Sequence, residues 1–332
     1  MPRSRLCVAI VVLLAFLACD TVPQFEIPNT EGMRWFKGNT HAHTTMSDGD
    51  SSPEVVARWY KEHDYDFLVL SDHNVFTDPA RLSALQDSAF LLIPGEEVTA
   101  KFQDKPVHVN ALNLAHVLAP QSDTTLVGTI QKNVDAIREV HAVPHINHPN
   151  FRWALPQHEL LRVRNDKLLE IFNGHPLVHN FGGGGWPSME QVWDHLLSAG
   201  KRVYGIAVDD AHHFQGEFAA ERSNPGRGWV MVKARGLEAK TLVASLEAGQ
   251  FYASTGIVLQ DILIAPRSIT IQIQPERDFK YRTEFIGAHG EVLHVSANNP
   301  AVFELRARES YVRAKVIDSA ARVAWVQPVF VK

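Results

Sequence analysis

The chain has 332 residues and a mass of 37.1 kDa, room for two domains or for one large domain with an appendage. With 45% hydrophobic and 21% charged residues it matches an ordinary globular protein, which excludes a disordered, collagen-like or multi-span membrane chain. The formal charge of -5, from 37 acidic and 32 basic side chains, provides no cationic excess for a polyphosphate backbone, so nucleic acid is not an expected partner.

In chain order, Arg3 and Arg5 precede an apolar run from Leu6 to Ala18, the pattern of a secretory signal and shorter than the roughly 20 residues of a membrane span. Residues 1–19 are therefore expected to be a signal peptide. Leu14-Ala15-Phe16-Leu17-Ala18-Cys19 is similar to a bacterial lipobox, with Phe16 departing at its first position. That implies an exported lipoprotein held to a membrane through a lipid on Cys19, facing the periplasm or the cell exterior; cleavage of an ordinary signal just past the run is the alternative. Residues 20–34, with Pro23, Pro28 and Gly32, read as a tether. The 2 cysteines both fall within the first 19 residues, so neither staples the folded body.

From 35 to 257 short β-rich runs alternate with helical patterns, the order of βα units around a parallel sheet or barrel. Strands are expected at 66–70, 90–93, 107–114, 142–146, 168–172, 203–208 and 229–233, and helices at 53–63, 125–141 and 188–199. Ser52-Pro53 forms a helix start, a cap followed by proline at the first helical position. After Gly256 the texture changes to strand-like runs at 269–274, 292–295, 302–305, 312–317 and 323–331, with no helix between them. Residues 258–332 are expected to form a small all-β C-terminal domain, with a structural role favoured over a binding one. Gly182 to Gly185 read as a mobile or tightly turning loop.

The chemistry is carried by histidines and carboxylates at expected strand ends. His41-Ala42-His43 puts two imidazoles on one side of an extended strand end. Asp48 follows; Asp72-His73 closes the strand 66–70; Glu96-Glu97 closes the strand 90–93; His108 lies in 107–114; His145 and His148 bracket the end of 142–146; Asp209-Asp210-Ala211-His212-His213 closes 203–208. Such residues at the C-terminal ends of parallel strands occupy the face where barrel enzymes build their sites. Imidazoles and carboxylates without thiolates favour zinc, manganese or iron, and a bridging carboxylate would let two ions share one hydroxide.

His41-Ala42-His43, Ser47-Asp48-Gly49, Ser71-Asp72-His73, Pro94-Gly95-Glu96-Glu97, His145 to His148-Pro149 and Asp210-Ala211-His212, in that order, resemble the motifs of the PHP family, named for polymerase and histidinol phosphatase domains. The resemblance covers about residues 35–257, and the segment Gly249 to Gly256 is similar to the end of this domain in secreted bacterial members. It implies an α/β fold built on a distorted (β/α)7 barrel, with two or three divalent ions. His41, His43, Glu97 and Asp210 would hold one ion, Asp48, His73 and His212 another, and Glu97 with His108 and His148 the third. Family spacing favours Glu97 over Glu96 and Asp210 over Asp209. Asn39 departs from the pattern, standing where many relatives carry aspartate.

The implied reaction is metal-assisted hydrolysis, a hydroxide shared between ions attacking a phosphoryl centre of a small phosphorylated substrate. Arg152, Arg222 and Arg227 are candidate phosphate donors, and His213 or His175 candidate acids for the leaving oxygen. The same site would serve a carbamate or carboxyl ester, and a third reading is a catalytically idle, lipid-anchored binding protein. Trp153 and Trp186 lie in loops near the expected mouth, and Glu170, ending the strand 168–172, is either an outer hydrogen-bond partner or a structural ion pair.

Overall fold

A computed structural model describes residues 22–306 and 309–332; the expected signal segment, Cys19 and the first residues of the tether lie outside the described residues. Strand β1 (Arg34–Asn39) leads through helix α1 (Pro53–Glu62) to β2 (Phe67–Val69) and β3 (Leu91–Ile93), and the three strands pair in parallel. β2 is buried throughout, which is why it reads as a continuous apolar run without alternation. α1 starts on Pro53, whose fixed φ suits a first helical position, and turns Val56, Ala57 and Tyr60 inward.

Pro94 then divides β3 from a strand the sequence does not announce. β4 (Gly95–Phe102) and β5 (Lys105–Leu112) form an antiparallel hairpin that turns at Gln103, where φ is 57°. Glu97 is thus the third residue of a new strand, opposite Asn110, and not the close of the strand before it. The hairpin holds because Val98, Val107, Val109 and Ala111 are buried, alternating along each strand.

Helix α2 (Leu126–Glu139), capped by the Thr125 hydroxyl on the Gly128 amide at 3.0 Å, leads to β6 (Val143–Ile146), the short helix α3 (Gln157–Leu160), β7 (Leu168–Asn173), helix α4 (Met189–Ser198) and β8 (Tyr204–Val208). β6, β7 and β8 are parallel, and β5 joins them antiparallel. α4 opens with a reciprocal capping box between Ser188 and Gln191. β9 (Trp229–Ala234), helix α5 (Ala239–Glu247) and β10 (Phe251–Ser254) follow, and β9 runs antiparallel to β1.

The remainder is strand: β11 (Leu259–Ala265), β12 (Ser268–Ile273), β13 (Tyr281–Ile286), β14 (Val292–Ser296), β15 (Ala301–Glu304), β16 (Tyr311–Asp318) and β17 (Val323–Phe330). β17 pairs with β10, so these strands extend the first sheet into one of 9 strands, ordered β14-β13-β16-β17-β10-β9-β1-β2-β3. β4 to β8 make a 5-stranded sheet, and β11, β12 and β15 a 3-stranded one.

The fold is mixed α/β. The pairing distributes the strands over separate sheets instead of a single ring, because the β4–β5 hairpin and the antiparallel β9 interrupt the parallel order. One buried cluster nevertheless unites Phe36, Phe67 and Ile93 of the larger sheet with Leu112, Val143, Leu168 and Ile206 of the smaller one. The expected tether is docked where it is described. Phe25 is fully buried, its amide donates to Pro266, and the Glu26 amide donates to Phe330, both at 2.8 Å. An aromatic side chain with a core to enter does not stay in solvent.

α4 is fastened to the C-terminal strands by a buried guanidinium. Arg313 reaches Asp194 through two 2.7 Å hydrogen bonds, lies 2.9 Å from Glu190 and stacks over Trp193. Arg313→Met strips Asp194 of its counter-charge and leaves Glu190 with Lys315 alone, at 2.6 Å, and such breakage costs about 3–5 kcal/mol. The expected result is a Tm lowered by roughly 5 °C or more in thermal denaturation; an unchanged Tm contradicts this role.

Candidate metal centre

Strand ends deliver the polar cluster. His41 and His43 follow β1, where Ala42 bridges Ala211 in parallel and the His43 amide donates to the Ala211 carbonyl at 2.9 Å. His73 follows β2 and bridges Glu97 of β4, beside His108 of β5. His148 follows β6, and Asp210 and His212 follow β8. Asp210 sits at φ 50°, a strained conformation for a non-glycine residue of the kind that clusters at functional sites.

Ligand atoms of the nine residues expected from sequence converge in four overlapping groups, each within 4.8 Å: His43, Asp48, His73 and His212; His41, Glu97 and His148; His41, His43 and Asp210; His73, Glu97 and His108. The division differs in detail from the sets implied by resemblance, since His43 also joins the Asp48 group and Glu97, shared as expected, groups with His41 and His148 and with His73 and His108, so that His108 and His148 fall in separate groups. His41 Nε2 lies 3.1 Å from His43 Nε2, 3.3 Å from Asp210 Oδ1 and 3.5 Å from Glu97 Oε2. His43 Nε2 is 3.2 Å from Asp210 Oδ1 and 3.4 Å from Glu97 Oε2. Donors about 2.1 Å from a common tetrahedral ion stand about 3.4 Å apart, so these separations fit a shared cation.

Hydrogen bonding supports the same fit. His108 Nδ1 is 3.0 Å from Glu97 Oε1, and His73 Nδ1 is 2.8 Å from Glu97 Oε2. Yet His108 Nδ1 and Glu97 Oε2 are buried and make no hydrogen bond among the described residues. Orphaned buried atoms are uncommon, and a cation faced by both accounts for them. Burial alone would raise Glu97, but His108, His41 and His73 hold its carboxyl well below the usual range. Burial likewise opposes ionisation of Asp210, and His41, His43 and His212 outweigh it. Burial and the charge of His212 push His43 down to about 4; burial also works against protonated His73, but Glu97 and Asp48 raise it to about 10.

A ring of supporting groups fixes these side chains. Glu170 Oε1 lies 2.7 Å from His41 Nδ1, and its Oε2 accepts from the His148 amide at 2.7 Å and from Asn173 Nδ2 at 2.8 Å. It is therefore a hydrogen-bond partner that leaves His41 Nε2 facing the cluster. Asn147 donates to Glu97 Oε1 at 2.7 Å, and Asn173 donates to Asp210 Oδ2 at 3.0 Å. Asp72 accepts from the Thr44 amide at 2.7 Å and the Ser47 hydroxyl at 2.8 Å, shaping the loop that carries Asp48. Sequence reasoning named Asp72 but missed Asn147 and Asn173; for Asn147 the signal was its place between His145 and His148. Glu170→Gln is expected to weaken metal affinity about 10- to 100-fold, read by competition with a chelator; affinity within threefold of wild type contradicts the assignment.

The paired acids separate cleanly. Glu96 points away from the cluster, accepts from the Leu118 amide at 2.8 Å and is pushed up to about 7 by burial. Asp209 accepts from the Gly226 amide at 2.9 Å, the Arg227 amide at 2.6 Å, the Gly228 amide at 2.9 Å and the Tyr60 hydroxyl at 2.8 Å, so it anchors the loop entering β9. His145 is fully buried, and burial lowers it to about 4, so it stays neutral. Asn39 bonds the His41 amide at 3.0 Å and the Gly228 carbonyl at 2.8 Å, a backbone brace.

Of the expected substrate groups, Arg227 is committed elsewhere: its guanidinium donates to the carbonyls of Gly174 at 2.8 Å and Ala219 at 2.5 Å. A charged side chain near a motif has spent its donors on the backbone. Arg222 bonds the Gln215 carbonyl at 2.9 Å and lies 3.5 Å from Asp50. Arg152 is exposed and lines a cleft of about 430 Å³ with His108 and Lys101. His175 stands 5.4 Å from His212, ring to ring, and accepts the Leu177 amide at Nδ1, so its neutral form carries the proton on Nε2. His213 likewise accepts the Ser223 amide at Nδ1.

No family model matches the chain, and no curated protein does. Among solved structures, the chain is similar to a two-domain protein from Bacteroides vulgatus containing a predicted PHP-like metal-dependent phosphoesterase, at 16% identity and a TM-score of 0.52, over 92% of this chain and 90% of that one. The fold is PHP-like. An amidohydrolase from Chromobacterium violaceum is more distant, at 13% identity and a TM-score of 0.41 over 57% of this chain and 93% of that one. The likeness to that two-domain protein is one of fold and is not confined to the part of the chain that carries the polar cluster, since it covers 92% of the residues.

Proposed function

We propose that the chain is a metal-dependent hydrolase of the PHP family, and within that class a phosphoesterase acting on a small phosphorylated substrate. The observation that carries the reading is the convergence of nine imidazole and carboxylate ligands in overlapping groups. Divalent zinc, manganese or iron ions bound there supply Lewis-acid chemistry and an acidified water. His41, His43 and Asp210, the set of His43, Asp48, His73 and His212, and Glu97 with His41 and His148 or with His73 and His108 would hold two or three ions. Glu170 orients His41, Asn147 and Asn173 steady the two central carboxylates, and His175 Nε2 offers a proton to a leaving oxygen. Arg152 supplies an exposed guanidinium on the cleft it lines with His108.

The parallel sets β1–β3 and β6–β8 are read as parts of a distorted seven-stranded barrel spanning residues 35–257, with the strands of 258–332 as its appendage. An exported protein anchored by a lipid on Cys19 remains part of the proposal, supported by the charged and apolar pattern of residues 1–19. Hydrolysis of a carbamate or carboxyl ester is the second reading, favoured by the engagement of Arg227 with carbonyls, which removes one expected phosphate donor.

The test is turnover by protein loaded with manganese or zinc on an aryl phosphate, a phosphodiester and a carboxyl ester. Phosphate-ester turnover is expected. Turnover of the carboxyl ester alone moves the assignment to the second reading, and none at all overturns both.

A further inference from the structure

One face of the β4–β5 hairpin leads out of the metal-ligand cluster. Side chains along a strand alternate between its faces, and Val98, Ala100, Val107 and Val109 turn into the core. Glu97, Thr99 and Lys101 therefore share the other face, paired in register with Asn110, His108 and Pro106. Glu97 and His108 belong to the ligand groups, and Thr99 Oγ1 lies 2.6 Å from His73 Nδ1. Lys101, two residues and roughly 7 Å further along the strand, is exposed. It lines the cleft of about 430 Å³ that Thr99 and His108 also line, so this cleft opens from the ligand groups themselves.

The segment after His148 brings a second cation to the same cleft. Arg152 and Trp153 have φ of 52° and 55°, the one pair of consecutive non-glycine residues in the left-handed region among the described residues. Side chains adopt that conformation where the surrounding structure holds them to it. Here the Phe151 amide donates to the His148 carbonyl at 2.8 Å and the Trp153 amide to the Asn150 carbonyl at 3.2 Å. The two side chains are parted as a result. Trp153 lines a separate cavity with Trp186 and stacks on His179 at 4.5 Å, while Arg152 lines the cleft with His108.

The charge of the cleft selects what it takes. Asp104, at the hairpin turn, is its one carboxylate, and Lys101 and Arg152 stand against it. Other cations are committed, Arg227 to carbonyls, Arg222 to Gln215 and Asp50, and Lys132 to Asp123; Lys101 and Arg152 have no such partner among the described residues. Two cations against one carboxylate leave one positive charge, which a single further carboxylate balances and a phosphate dianion exceeds.

We propose that the cleft lined by Thr99, Lys101 and Arg152 is a subsite for a carboxylate on the substrate, which makes this a hydrolase of phosphorylated hydroxy acids. The inference rests on the phosphoesterase reading and adds its substrate class. The phosphoryl group faces the ligand groups, and the acid end lies along the hairpin toward Lys101 and Arg152. Hydrolysis breaks the phosphorus–oxygen bond to the hydroxy acid; water supplies the new oxygen on phosphorus, and a proton of that water ends on the released alkoxide oxygen.

The test compares full-length wild-type protein, Lys101→Ala and Lys101→Arg on 3-phosphoglycerate and glycerol 3-phosphate, of which the first alone carries a carboxylate. Calorimetric binding of 3-phosphonopropionate and propylphosphonate, which have no ester bond to break, gives a second readout. Lys101→Ala should raise KM for 3-phosphoglycerate about tenfold more than for glycerol 3-phosphate, and weaken 3-phosphonopropionate about tenfold more than propylphosphonate, as loss of one charge-assisted hydrogen bond does. Lys101→Arg should restore most of both, and an unchanged metal content marks a folded variant. Equal effects within each pair, or wild-type protein that binds 3-phosphonopropionate no more tightly than propylphosphonate, overturn the subsite. Preference for propanediol bisphosphate over 3-phosphoglycerate overturns the carboxylate in favour of a second phosphate. Wild-type protein that hydrolyses no phosphate ester, yet binds 3-phosphonopropionate more tightly than Lys101→Ala does, sinks the phosphoesterase reading and leaves the subsite standing.

Discussion

Glu97→Ala is expected to lower turnover by roughly a thousandfold or more, the consequence of losing several kcal/mol of charge stabilisation at the reacting centre. Glu97 is the residue on which the groups overlap: its two oxygens face His41, His43, His73, His108 and His148 at 2.8 to 3.5 Å. Alanine there leaves those imidazoles facing one another without the carboxylate that separates them. The loss should appear in kcat with fewer bound ions per chain, counted by mass spectrometry on the same sample. Turnover within tenfold of wild type with full metal content contradicts a shared role for this side chain.

Metal uptake should raise Tm and expel protons. An ion at about a thousand times its Kd stabilises the folded state by about 4 kcal/mol. Without metal, burial resists protonation of His41, His73, His148 and His212, yet neighbouring carboxylates raise all four, His73 to about 10. Imidazole must be neutral to coordinate, so each ion taken up displaces protons and affinity weakens as pH falls. The sign for the metal-free protein follows from the same shifts. Histidines raised in the folded state contribute stability that is complete below their unfolded value near 6.5 and is lost as pH rises toward 10. Metal-free protein should therefore lose stability between those limits, and loaded protein should lose less. Proton release measured in weakly buffered solution, with Tm from pH 6 to 9, checks this; uptake without release contradicts it.

Most of the nine converging residues were legible because they are chemically distinctive side chains in or near a short apolar run, and strand ends are local features of sequence; Asp48, nine residues past the end of β1, needed its place in the motif order. Glu97 and Asp210 needed the motif spacing to be told from Glu96 and Asp209, and the geometry gives the reason: each neighbour turns to the other side and bonds backbone amides. The supporting residues were illegible for a different reason. Asn147 meets Glu97 across 50 residues and Asn173 meets Asp210 across 37, and an asparagine carries no local mark of a distant partner. Arg227 misled because proximity to a motif says nothing about where a guanidinium spends its donors.

In the fold, apolar runs located the strands of the parallel sets, since burial on both faces makes them continuous. Of the β4–β5 hairpin, β5 was expected and β4 escaped because Pro94 and two glutamates break the run at its start. The direction of β9 escaped because periodicity marks a strand without its orientation. The docked segment around Phe25 escaped because prolines on either side give it the composition of a linker.

The most direct test of the central claim is the metal count of the full chain, purified without chelator and reconstituted with manganese or zinc, beside His41→Ala. Two or three ions per chain in the wild-type protein, with at least one lost in the variant, is the result expected from four overlapping ligand groups. A wild-type chain that retains no ion after reconstitution would contradict the account.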